Sequence, residues 1–180
     1  MMESQCGKRI LACFLTFEMV FVFADCSNAP YSQFNQGVVN LHTGDEAKAE
    51  SSFEEAVRQD PHNAEAWNQL GIIAFDRGDK EKAEKCFRSA LELKPHNAVY
   101  TRNLAIVFAQ KKELDLADRM LGKALELDPS DADTYVALAK VKALTGDKES
   151  ARQAAEKALK LNPAHQEAIA VRSWLREPSP

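Results

Sequence analysis

Apolar residues recur along this chain with the three-and-four spacing of one helical face, broken at short intervals by polar turns. Trp67, Leu70, Ile73 and Ala74 share one such face, Gly78-Asp79 interrupts it, and Ala83, Phe87, Ala90 and Leu91 form a second face that stops before Pro95. Asn63 stands where a short polar side chain can accept from the unpaired N–H groups of a helix starting at Ala64. Gly78 supplies the left-handed residue that ends one helix, and Pro95 ends the next because its ring offers no N–H and crowds the residue before it. Gly44-Asp45 and Gly146-Asp147 repeat this turn chemistry, and Lys112-Glu113 takes its place once.

The pattern has a period. Pro61, Pro95, Pro129 and Pro163 are each separated by 34 residues, which divides the chain into blocks 30–63, 64–97, 98–131 and 132–165. Column twenty of every block is alanine (Ala49, Ala83, Ala117, Ala151), and so is column twenty-seven (Ala56, Ala90, Ala124, Ala158). Column twenty-four holds Phe53, Phe87, Leu121 and Ala155, and column ten holds Val39, Ile73, Val107 and Val141. Small residues let paired helices approach and the larger ones fill the space between them. A pair of this size cannot bury its apolar face alone, so the pairs are predicted to stack. Residues 166–176 are predicted to cap the stack, with Ala168, Ile169 and Leu175 turned inward and Arg172 in the column that holds Leu70, Leu104 and Leu138. Residues 177–180 form a tail.

Trp67, Leu70, Gly71, Ala83, Phe87, Ala90 and Pro95 together resemble the tetratricopeptide repeat signature, and the resemblance extends in register over residues 30–165. It implies an all-α, right-handed α-solenoid of antiparallel helix pairs, four repeats plus a capping helix. Block one departs from the signature with Gln33 and Gln36 where block two has Trp67 and Leu70, as suits a terminal repeat. Blocks three and four carry Ala105 and Ala139 in place of Gly71, which is expected to space their helices slightly wider.

The resemblance also implies that the first helix of each pair lines a concave groove through columns two, five, six, nine and thirteen. Column six then presents Asn35, Gln69 and Asn103, a row of amides able to donate to and accept from the backbone of an extended partner. Column nine presents Val38, Ile72 and Ile106 as an apolar strip, and column five adds Asn68 and Arg102. The lysines and arginines with which some family members clamp the C-terminal carboxylate of chaperones are missing: Phe34, Val38, Gln69, Val99 and Asn103 occupy those columns. The expected partner is a protein or peptide, the expected role a non-catalytic scaffold or adaptor in an exported assembly or secretion complex. The alternative is a structural protein that self-associates through its convex face or its ends.

The N-terminus has a different character. Lys8-Arg9 precede an apolar run over residues 10–24, and Asp25-Cys26-Ser27-Asn28 follow, which is the order of an export signal. Val22-Phe23-Ala24 places small residues for cleavage between Ala24 and Asp25, so residues 1–24 read as a signal peptide and 25–29 as a linker, in a periplasmic or secreted protein. The run is shorter than the ~20 residues of a spanning helix and carries Glu18, so no stable transmembrane anchor is expected. The alternatives are membrane association through an uncleaved apolar N-terminal helix or through a lipidated cysteine, Cys13 or Cys26.

Composition narrows the function. With 23 basic against 27 acidic side chains, a net charge of −4, the chain has no cationic field for a polyphosphate, and nucleic acid is not an expected partner. His62 and His96 share one loop column beside proline, and His42 and His165 form no ligand pair with them. Cys86 is isolated on a helix, at the column of Met120 and Ala154. Glu54-Glu55 lie on a polar helix face, and no glycine-rich loop follows a strand pattern. No catalytic residue, metal site or cofactor is therefore expected.

Overall fold

The computed structural model describes residues 30–176, and among these it shows nine α-helices and no strand. They are α1 (Pro30–His42), α2 (Glu46–Gln59), α3 (Ala64–Asp76), α4 (Lys80–Leu93), α5 (Ala98–Gln110), α6 (Leu114–Leu127), α7 (Ala132–Leu144), α8 (Lys148–Leu161) and α9 (Gln166–Arg176). The expected signal peptide, linker and tail lie outside the described residues. The chain divides into two units, one ending at Asp60 and the other beginning at Pro61.

Helix boundaries follow from local chemistry. Asp45, Asn63, Asp79, Asn97, Asp131 and Asp147 each accept from a backbone N–H in the first turn of the helix they precede, at 2.9 Å for Asn63 Oδ1 and Ala66 N. In the turns, Gly44, Gly78 and Gly146 take φ of 77°, 81° and 84°. Lys112 takes 65° at the equivalent place, and the turn closes as the glycine turns do. Lys112 N donates to Ala109 O at 3.0 Å and Glu113 N to Phe108 O at 2.9 Å, matching Gly78 N on Phe75 O and Asp79 N on Ala74 O. A side chain in that conformation costs about 1–2 kcal/mol, and Glu113 makes no side-chain cap hydrogen bond to offset it.

In the first unit α1 packs on α2. Phe53 is fully buried against Gly37, and the Phe34 ring leans on it with centroids 5.6 Å apart. A buried polar seam joins the two helices, where Asn40 Nδ2 donates to Ser52 Oγ at 3.2 Å and Gln36 Nε2 donates to Asn40 Oδ1 at 3.1 Å.

The second unit is an all-α helical-repeat solenoid. The pairs α3/α4, α5/α6 and α7/α8 stack in chain order because α4 also packs on α5, and α6 on α7, while α9 closes on α7 and α8. The first helices adjoin in the sequence α3, α5, α7, α9, forming one layer above a layer of second helices. Ala83, Phe87, Leu104, Val107, Leu121 and Val141 share the principal core. Ala168 of α9 is buried with Val136 and Ala158, and Val171 packs on Ala139, Ala154 and Ala155. Ile169, Arg172 and Leu175 are half-buried, and Trp174 is exposed.

The glycine-to-alanine exchanges go with changes in the facing side chain. A Cβ on Gly71 would lie 2.6 Å from Phe87 Cε1, and one on Gly37 the same distance from Phe53 Cε1. Where the column carries Ala105, its core partner is Leu121, and where it carries Ala139, the partner is Ala155. Each added methyl is thus matched by a smaller facing side chain, which conserves volume between the helices.

Candidate protein-binding groove

A hollow of about 560 Å³ opens on the first-helix layer of the second unit, between α5 and α7, with Phe75 of α3 at one end and Glu167 of α9 at the other. Ile106, Ala109, Ala137, Val141 and Leu144 give it apolar walls. A smaller one of about 170 Å³ lies beside it toward α3, lined by Ile72, Phe75, Phe87, Asn103 and Ile106. Phe75, Asn103 and Ile106 belong to both, so the two form one apolar groove running across the repeats. Leu144, which lines the larger hollow, is 66% exposed.

The polar groups around this groove are matched among themselves. Asn103 Nδ2 donates to Asn68 Oδ1 at 2.9 Å, tying α5 to α3. Arg102 pairs with Asp131 and stands 3.6 Å from Asp133 Oδ2. His165 Nδ1 accepts from Ala168 N at 3.4 Å, so Nε2 carries the proton and donates to Asp133 Oδ1 at 2.9 Å. His165 therefore caps α9 and bridges it to α7. Lys140 pairs with Glu167 of α9. At the start of α3, Lys94 donates to Glu65 and holds its carboxyl below the ordinary range.

Between α4 and the C-terminal end of α5, Lys111 donates to Glu84 at 2.7 Å and Arg88 pairs with the same carboxylate at 2.8 Å. These hydrogen bonds hold Glu84 below the ordinary carboxylate range against the opposing effect of burial. The Arg88 guanidinium lies over the Phe108 ring, 5.4 Å from its centroid.

Of the residues placed in the groove by sequence, Arg102, Asn103 and Ile106 line the larger hollow and Ile72 the smaller. Asn68 differs from expectation: it is only 7% exposed, and its oxygen is engaged by Asn103 and not turned outward. Arg102 likewise serves its acidic neighbours. Gln69 is half-buried and lines neither hollow. Asn35, exposed, and Val38, half-buried, lie on α1 in the other unit. Sequence reasoning missed Phe75 and Ala109, although column twelve is apolar in every block (Leu41, Phe75, Ala109, Ala143), and it named column thirteen without singling out Leu144, the one apolar residue there. Cys86 is buried, and among the described residues no group of His, Cys, Asp and Glu is placed to hold a metal ion. Among the same residues no helix is long and apolar enough to cross a membrane.

Stacked helix pairs of a fixed period, with small columns between helices and a groove on the first-helix layer, define a tetratricopeptide-type solenoid. Residues 20–173 match the family model of the Cilia and flagella-associated protein 70 C-terminal domain, and the chain belongs to this tetratricopeptide-repeat family. None of the curated proteins matches it. Solved structures with the same fold include the APC/C hetero-tetramer Cut9-Hcn1, at TM-score 0.76 and 22% identity over 83% of this chain. The chain spans only 30% of that relative's length. YrrB, described as a TPR protein with an unusual peptide-binding site, aligns at TM-score 0.69 and 22% identity, covering 82% of this chain and 76% of its own. MamA of Desulfovibrio magneticus RS-1 aligns at TM-score 0.71 and 23% identity, covering 81% and 82%.

Proposed function

We propose that this protein is a non-catalytic interaction scaffold whose groove on α3, α5 and α7 receives an apolar segment of a partner polypeptide. The observation that carries this reading is the exposed Leu144 at the edge of a hollow walled by Ile106, Ala109 and Val141, beside charges already neutralised by internal pairs. An apolar side chain entering such a hollow gains about 1.5–3 kcal/mol from burial and displaces no ion pair. Asn103 adds direction: with one N–H committed to Asn68, it presents its oxygen to a backbone donor of the guest. The peptide-binding site of YrrB and the hetero-tetramer of Cut9-Hcn1 belong to those proteins, and they support the proposal by analogy of fold alone.

Affinity capture from the native source, comparing the unaltered protein with Leu144→Asp and with Lys85→Glu on the exposed side of α4, tests the reading. Loss of the captured partner with Leu144→Asp alone supports the groove. Loss with Lys85→Glu alone moves binding to the second-helix layer, and capture of this same chain as the dominant species replaces the scaffold with a self-associating structural role.

A further inference from the structure

We propose that the groove continues onto the capping helix, where Trp174 of α9 anchors a partner segment that pairs a large apolar side chain with a basic one. The inference rests on the groove reading above and deepens it by naming the chemistry of the guest.

The bare apolar side chains of the second unit gather on one side. Among its described residues the exposed large ones are Val99, Leu144, Leu161 and Trp174. All but Leu161 stand in columns two, thirteen and nine, which supply Asp133, Leu144 and Ile106 to the lining of the larger hollow. Column nine holds Ile72, Ile106 and Lys140 in α3, α5 and α7, each a lining residue, and Trp174 is its next member. On α9 itself Trp174 lies two turns beyond Glu167, so the two share one face, and Glu167 lines the larger hollow. One turn back from Trp174 are Ala170, exposed, and Val171, half-buried.

Two contacts fix the register of α9 on α7. His165 meets Asp133 and Glu167 meets Lys140, so the helices run parallel. Leu144 stands one turn past Lys140, about 6 Å, and Trp174 two turns past Glu167, about 10 Å, which sets the two exposed side chains beside each other. The exposure of Trp174 is not that of a missing next repeat. Column eight, where Gly71 faces Phe87, is Ser173 in α9, and column one is Gln166. Both are exposed and polar, as the outer side of a cap should be. A tryptophan bare on the groove side instead offers a large, rigid contact area of the kind that dominates interfaces.

The other end of the larger hollow sets the charge of the guest. Asp131 and Asp133 share the one guanidinium of Arg102, and the His165 ring adds a proton donor without a charge. One carboxylate is left in excess, and Asp133, which lines the hollow, is 63% exposed. A basic side chain of the guest completes that pairing. Along α7, Asp133 and Leu144 stand about 16 Å apart, which an extended chain covers in about five residues.

Peptides selected from a random phage-displayed library on the full chain are the probe. The enriched sequences are expected to place Lys or Arg about five residues from a large apolar residue. For such a peptide, synthesised and titrated, Trp174→Ala is expected to raise Kd about tenfold or more and Trp174→Phe to restore most of the affinity. Asp133→Asn should raise Kd about two- to fivefold, and less at high salt. Binding should also shift tryptophan emission to the blue and shield it from iodide. Trp174→Phe should abolish that change, because the chain's other tryptophan, Trp67, donates to Pro61 O and lines neither hollow. Unchanged affinity in Trp174→Ala with a loss in Leu144→Asp overturns the inference and leaves the groove standing. Full affinity in both variants overturns the groove as well. Enriched peptides with Asp or Glu in place of the basic residue, or no enrichment at all, also overturn the inference.

Discussion

Gly71 and Phe87 meet so closely that a Cβ on the glycine would stand 2.6 Å from the ring carbon Cε1. The contact explains why glycine persists in the middle of α3, where alanine would favour the helix by about 1 kcal/mol. Phe87 is nearly fully buried, and a displaced ring would have to move toward the smaller hollow that it lines and give up its core contacts. Gly71→Ala is therefore expected to destabilise the second unit, because overpacking of about 1–3 kcal/mol outweighs the gain in propensity. Combining it with Phe87→Leu recreates the Ala105 and Leu121 pair of the next repeat and should recover most of the loss. Urea unfolding of the two single variants and the double variant reads the coupling; simple additivity would show that the two positions are independent.

Lys112 offers the opposite case. Its φ of 65° is offset only by the turn it closes. Lys112→Gly removes about 1–2 kcal/mol of left-handed strain and adds about 0.4–1 kcal/mol of unfolded-chain entropy. A net stabilisation of up to about 1.5 kcal/mol is expected, seen as a rise of a few degrees in Tm. A fall in Tm would mean that the lysine side chain contributes contacts exceeding the strain.

The repeat was legible from spacing because each element depends on residues close in sequence: Asn63 caps α3 three residues away, and Gly78 turns the chain between adjacent helices. The match of column eight to column twenty-four was present in the sequence as Gly71 with Phe87 and Ala105 with Leu121, but only the fold shows that the two columns touch. The groove was legible as far as Ile72, Arg102, Asn103 and Ile106. The bond from Asn103 to Asn68, and the network joining Arg102 through Asp133 to His165, were not, because they depend on how one repeat rotates against the next.

Acid should weaken this protein partly through Glu84. Lys111 and Arg88 depress its folded pKa, so its contribution to stability is present above the unfolded value of about 4.3 and is lost as pH falls through the lower, folded value. Lys111 is raised by the same bond, and its contribution is lost only as pH rises above the ordinary lysine range. Glu84→Gln is expected to be less stable than the unaltered protein at neutral pH, with the two stability curves converging below about pH 4. Thermal unfolding between neutral pH and acid checks this; parallel curves would show that Glu84 gains nothing from its cationic neighbours.

Two substitutions on the first-helix layer separate bracing from binding. Asn103→Ala takes the donor away from Asn68 Oδ1, whose residue is 7% exposed, and an acceptor left unpaired there costs about 1–3 kcal/mol. Leu144→Asp alters a side chain that is 66% exposed, so stability should change by under about 0.5 kcal/mol. Binding is expected to respond in the reverse order. Leu144→Asp removes apolar contact and sets a carboxylate at the rim of an apolar hollow, so the partner should lose about 1.5–3 kcal/mol or more, seen by calorimetry as at least a tenfold rise in Kd. Lys85→Glu should leave both quantities unchanged. A Leu144→Asp variant that keeps full affinity while Asn103→Ala loses binding without losing stability would show that the guest is held by the amide and not by the apolar wall.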